Sequence, residues 1–136
     1  MKSLSQYINE TLDNYLNSFV ILKPEFLDHT NEWIKILQDN EWDILDKQTL
    51  TLTNKQAQDL YSMHKGKDFY DDLCKYMCSG DCCCCKCYKE CEDPIGEMEK
   101  IKEEVRKKWG KSEMKNAMHS SDSLQNAARE AKIVFK

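Results

Sequence analysis

The chain has 136 residues, with 20 Lys and Arg against 24 Asp and Glu and a formal net charge of −4. That length suits one domain with a single core, and the acidic balance argues against a nucleic-acid binder driven by bulk charge. Hydrophobic residues make up 40% and charged ones 32%, an ordinary globular composition, and no apolar run approaches the roughly 20 residues of a membrane span.

Leu4, Tyr7, Ile8, Leu12, Tyr15 and Leu16 recur at helical spacing. They predict an accessory N-terminal helix within 1–17, ahead of a domain at 18–136. This segment lacks a continuous apolar core, so it does not read as a signal peptide, and a cytoplasmic setting is expected. "SFVILKPE" runs apolar into Lys23-Pro24, a buried strand stopped by proline. "HTNEWIKILQDNEW" puts Trp33, Ile34 and Leu37 on one helical face. "WDILDKQTLTLT" alternates Ile44, Leu50 and Leu52 with polar residues and reads as a strand. Thr53 and Gln56 form a capping box for a helix over "NKQAQDLYSMH". Gly66 breaks it, and "DFYDDLCKYMC" begins another helix before the turn "SGD".

"CCCCKCYK" reads as a strand in which cysteine serves as a small apolar residue. Alternation points Cys82 and Cys84 to one face and Cys83, Cys85 and Cys87 to the other. Overlapping Cys-x-x-Cys pairs on one strand suit core filling better than a tetrahedral zinc site, and reduced thiols are expected because adjacent cysteines cannot all bridge. Pro94 opens a charged helix over "IGEMEKIKEEVRKKW" despite Gly96, and Gly110 ends it. A short strand at 115–119 and a helix over "SLQNAAREAKIVF" complete the chain. Without its flanking helices the order is βαββαβ, with a helical hairpin between the second and third strands. That is the ferredoxin-like α+β pattern, an antiparallel sheet with helices on one face.

"NAMHSSDS" places His119 among hydroxyls just before the last helix. The stretch resembles the Asn-x-x-His-Gly-Ser-Asp-Ser signature of the nucleoside diphosphate kinase family, in which the histidine is phosphorylated. "FVILKPE" is similar to that family's first strand. "LYSMHKGKDFYDDLCKYMCSG" is similar to its segment running from a tyrosine through Arg-Pro-Phe-Phe to Tyr-Met-x-Ser-Gly. "VRKKWGKSEMKNAMH" resembles its Arg-x-x-Tyr-Gly form, at the same distance from arginine to histidine. The resemblance covers about 19–135, and the four segments fall in the family order.

The resemblance implies that His119 is the nucleophile and that Glu130 binds its other ring nitrogen, with Ser121 in support. It implies that Lys23 stands near the transferred phosphate and Tyr61 beside the nucleophile. Phe69 is implied to stack on the base, with Arg106 binding phosphate and Asn116 facing sugar and phosphate. Lys100 is the candidate substitute for a second phosphate-site arginine. The implied activity moves a γ-phosphoryl group from a nucleoside triphosphate to a nucleoside diphosphate, with Mg²⁺ carried on the nucleotide. A homodimer through the Thr-rich strand "TLTLT" is also implied, with no membrane or nucleic acid as partner. His29 and His64 read as surface residues. Between Cys91 and Arg106 the sequence departs from the family: the helix runs straight into Arg106, and a phosphate-site threonine and long loop have no counterpart. Reduced activity is expected from that loss. The other function class is a nucleotide-binding module of the same fold, weakly active or inactive, working through a protein partner.

Overall fold

The computed structural model describes residues 15–135. The sequence-expected helix within 1–17 therefore lies almost wholly outside the described residues. The strands are β1 (Ser18–Leu22), β2 (Asp43–Leu50), β3 (Cys82–Tyr88) and β4 (Met118–Ser120). The helices are α1 (Thr30–Asp39), α2 (Asn54–Leu60), α3 (Tyr70–Met77), α4 (Pro94–Trp109) and α5 (Leu124–Val134). Short 3-10 turns at Leu27–His29 and Ser62–His64 flank α1 and extend α2.

The strands form one antiparallel sheet in the order β2-β3-β1-β4. The chain thus folds as a ferredoxin-like βαββαβ unit. Position in the sheet explains the composition of each strand. β1 and β3 are central and covered on both faces, so they read as continuous apolar runs, "SFVIL" and "CCCCKC". β2 is an edge strand, exposed or half-buried throughout, and carries Asp, Lys, Gln and Thr.

The two crossover helices of the unit, α1 and α4, lie on one face, as the pattern expects. There Trp33 and Leu37 of α1 and Met98, Ile101 and Val105 of α4 pack on Val20, Leu22, Cys83, Cys85, Cys87 and Met118. The elements outside that unit cover the second face. Leu60 of α2, Leu73 and Met77 of α3 and Ala127, Ala131 and Val134 of α5 meet Phe19, Ile21, Cys82 and Cys84. The expected alternation of the cysteines holds, with five of them acting as core residues at 0% exposure. Leu37→Ala in this core would cost about 2–5 kcal/mol.

Local signals fix where the elements begin. Thr53 Oγ1 accepts from Gln56 N–H at 3.1 Å, and Gln56 Oε1 accepts from Thr53 N–H at 2.9 Å, completing the expected capping box. Gly66 has φ of 90°, a left-handed turn that favours glycine and separates α2 from α3. Gly96, an apparent defect in α4, has a clear cause. Asp93 caps the helix by accepting Gly96 N–H at 3.0 Å, and a Cβ at 96 would fall on the Asp93 carboxylate. The strand expected at 115–119 is shorter and later, because Ala117 adopts φ of 78° and only Met118–Ser120 pair with β1.

Candidate active site

β1 and β4 set the centre of the site. His119 lies opposite Ile21 in the register, on the face covered by α2, α3 and α5. α5, capped by Ser123 Oγ accepting Asn126 N–H at 3.0 Å, carries Glu130 back to the histidine. Glu130 Oε1 lies 2.6 Å from His119 Nε2. Glu130 is 1% exposed. The Ser121 hydroxyl stands 2.9 Å from the same Oε1 and 3.2 Å from the Phe19 carbonyl oxygen, and donates to them. A buried carboxylate accepts, so Nε2 carries the ring proton and Nδ1 keeps its lone pair. Among the described residues none hydrogen-bonds Nδ1.

Tyr61 meets the imidazole edge-on, with ring centroids 5.6 Å apart. Burial, and then the Glu130 carboxylate, push its phenol far above the usual range. It stays a neutral donor at every relevant pH.

Lys23 leaves β1 toward the same space. Its backbone N–H donates to the Ala117 carbonyl at 2.8 Å, and its Nζ donates to the Met114 carbonyl at 3.3 Å. Burial, then Arg106, then Lys102 lower its pKa to about 7. Arg106, in the last turn of α4, donates to the Met118 carbonyl from Nε at 3.3 Å and Nη2 at 3.1 Å. It is thereby fastened to the strand that carries His119. Asn116 Nδ2 donates to the Glu113 carbonyl at 2.7 Å.

These groups line one open cavity of about 520 Å³. His119, Glu130, Tyr61, Lys23, Arg106, Asn116 and Phe69 all face it. Phe69 is 44% exposed, an aromatic ring left open to a partner. Ser121 is buried behind Glu130 and does not line the cavity. Lys100 is a correction. It is exposed and does not line the cavity, whereas Lys102 does. Six residues from Arg106 amount to roughly 240° around a helix, but four bring a side chain back to the same face.

Both other histidines also depart from expectation. His29 is half-buried and stacks on Trp109 at 4.3 Å. His64 lines the cavity, with its ring 5.1 Å from that of Phe69. Its position depends on the 3-10 turn after α2, which no periodicity in the sequence announces.

Tyr61 Oη, His64 Nδ1 and Asn116 Oδ1 are buried polar atoms without a hydrogen-bond partner among the described residues. All three residues line the cavity. An unsatisfied buried polar group costs about 1–3 kcal/mol, and a polar ligand would offset that cost. Chemically, the cavity joins an oriented imidazole, three basic side chains and an exposed aromatic ring, with Glu113 and Asp122 also on its wall. That set suits a phosphorylated ligand with a flat group attached.

Known proteins share this arrangement of chain. A family model described as "Nucleoside diphosphate kinase" matches residues 17–136. A nucleoside diphosphate kinase of Fervidobacterium nodosum is 33% identical over 128 residues, spanning 87% of this chain and 87% of its own. One from Methanococcus maripaludis is 30% identical over 128 residues, spanning 87% of this chain and 96% of its own. The solved nucleoside diphosphate kinase of Aquifex aeolicus has the same fold, with a TM-score of 0.79 at 24% identity, covering 88% of this chain and 94% of that one. The chain belongs to the nucleoside diphosphate kinase family.

Proposed function

We propose that the protein transfers the γ-phosphoryl group of a nucleoside triphosphate to a nucleoside diphosphate through a phosphohistidine on His119. The observation that carries this reading is the 2.6 Å contact between His119 Nε2 and the buried Glu130 carboxylate. It leaves Nδ1 as the nucleophilic nitrogen on the cavity side of the chemistry. In the first step the Nδ1 lone pair attacks the γ-phosphorus as the bond to the β-phosphate oxygen breaks, releasing a nucleoside diphosphate. In the second, a terminal phosphate oxygen of another diphosphate attacks the same phosphorus and the N–P bond breaks. Glu130 offsets the positive charge that the ring acquires, and Ser121 holds Glu130.

Phosphoryl transfer otherwise needs position and charge. Lys23 and Arg106 supply charge, Asn116 and the Tyr61 hydroxyl supply polar contacts, and Phe69 offers a face for the base. Stacking on an aromatic ring tolerates every base, so weak base preference belongs to the proposal. Mg²⁺ enters with the nucleotide in this account. The described residues bring no three metal-ligating side chains together, and cations face the cavity, so phosphate oxygens and water would be its ligands. When bound, the ion neutralises charge on the phosphates.

A bare binding module needs neither a nucleophile nor a carboxylate to orient it, which favours the enzyme. The unbroken run of α4 into Arg106 supports slower turnover than in relatives with further phosphate donors. The exposed edge of β2 supports pairing into a homodimer. Eight free cysteines support a cytoplasmic site of action. No helix among the described residues is long and apolar enough to cross a membrane. The test is formation of dTTP from ATP and dTDP by the purified protein. Turnover that vanishes in His119→Ala supports the proposal, and equal rates in both proteins overturn it.

A further inference from the structure

We propose that Arg129 is a positioning residue for phosphotransfer: it fastens the end of α2, and with it Tyr61, to the helix that carries Glu130. The inference rests on the phosphotransfer reading and adds a residue that stands outside the cavity. Arg129 precedes Glu130 on α5 and does not line the cavity. Its Nη1 donates to the Asp59 carbonyl at 2.8 Å, and its Nη2 donates to the Leu60 carbonyl at 3.4 Å. Asp59 and Leu60 are the last two residues of α2, which has no basic residue in its own last turn. A cation from α5 thus meets the unpaired carbonyls and partial negative charge of that helix end.

Tyr61 is the next residue, and its N–H donates to the Ala57 carbonyl at 3.1 Å as the helix closes. Where α2 ends therefore decides where the Tyr61 ring sits beside His119. A guanidinium suits this task, because its planar fork reaches two carbonyls at once. The fork is itself held. Arg129 Nε donates to Asn126 Oδ1 at 3.2 Å, and Asn126 Nδ2 donates to Asp122 Oδ1 at 2.5 Å. Nη2 also lies 3.7 Å from Glu130 Oε2, the oxygen that neither His119 nor Ser121 uses. One side chain thereby touches the supports of both neighbours of the imidazole.

A residue that only stabilises the fold makes a different forecast. Its loss lowers the melting temperature and leaves the rate constants of the folded protein unchanged. A positioning role slows the chemical step with little effect on nucleotide affinity, because a small displacement beside the reacting atoms is felt in the transition state.

The experiment is rapid-quench measurement of His119 phosphorylation by the full chain at saturating ATP and Mg²⁺, with calorimetric titration of ADP and Mg²⁺ beside it. Arg129→Met should slow phosphorylation by roughly 10- to 100-fold and leave ADP affinity close to that of the parent. Arg129→Lys keeps the charge without the fork and should recover only part of that rate. Tyr61→Phe tests the route: in that background Arg129→Met should cost much less than in the parent. Lys132→Met, at an exposed position of the same helix, should react as the parent does. Parent rates in Arg129→Met, full recovery in Arg129→Lys, or losses that simply multiply in the Arg129→Met, Tyr61→Phe double variant overturn the assignment. If Arg129→Met prevents folding, Arg129→Lys with and without Tyr61→Phe completes the same cycle. A parent chain that binds ADP and never phosphorylates His119 refutes the proposed activity. Amide exchange then still reads the docking of α2: faster exchange at Tyr61 and His64 in the Arg129 variant supports it, and unchanged exchange overturns it.

Discussion

Lys23 gives the sharpest physical forecast, because its charge depends on what shares the cavity. Its pKa is lowered to about 7 from an ordinary 10.5 by burial, Arg106 and Lys102. At pH 8 about 90% of the empty protein would then carry a neutral Lys23, and at pH 6 about 10%. A bound phosphate restores the charge, since an adjacent anion favours the ammonium. Nucleotide binding at pH 8 should therefore take up close to one proton, and at pH 6 close to none. Titration of ADP in two buffers of different ionisation enthalpy reads this number directly. Lys23→Met should remove the uptake and weaken binding at both pH values.

The same shift sets a stability trend. The folded state holds fewer protons than the unfolded chain between the two pKa values, so stability rises with pH from about 7 to 10.5 and is least below 7. At pH 6 Lys23→Met should melt higher than the parent, because the cost of burying a cation is gone. Proton uptake near zero at pH 8 in the parent protein would refute the reasoning about Lys23 outright.

Glu130→Gln keeps the shape beside His119 but removes the charge. A charge-assisted hydrogen bond contributes about 1.5–3 kcal/mol, so turnover should fall roughly 10- to 150-fold in a coupled phosphotransfer assay with little change in KM. Phe69→Ala should raise KM for purine and pyrimidine nucleotides alike while kcat holds, since stacking contributes about 1–3 kcal/mol per base. Light scattering should report a dimer. A mass near three times that value would contradict pairing through the β2 edge alone.

The sequence carried most of the element order because each local signal had one physical meaning. The Thr53–Gln56 box, the Pro94 start and the alternating cysteines all act within a few residues. Glu130 was reached through the family resemblance, and in the structure the strand, turn and helix return it to His119. Other features depend on how distant segments meet. That α2, α3 and α5 cover the second face follows from the split sheet order, which no periodicity encodes. Hints did exist in the continuous apolar runs of β1 and β3. Choosing Lys102 over Lys100 required the phase of α4, a matter of two residues on a helix whose charges surround it. His64 reached the cavity through a 3-10 turn. Gly96 looked like a flaw until the Asp93 cap beside it was visible.

The central claim is that His119 carries the phosphoryl group, with Glu130 leaving Nδ1 free to receive it. The most direct measurement is incubation with γ-labelled ATP and Mg²⁺, followed by mapping of the label and its stability to acid and base. Label confined to His119 at Nδ1, labile in acid, stable in base and discharged by added nucleoside diphosphate, is the predicted result. Label that persists in His119→Ala, or a folded protein that binds ATP and never becomes labelled, would contradict it.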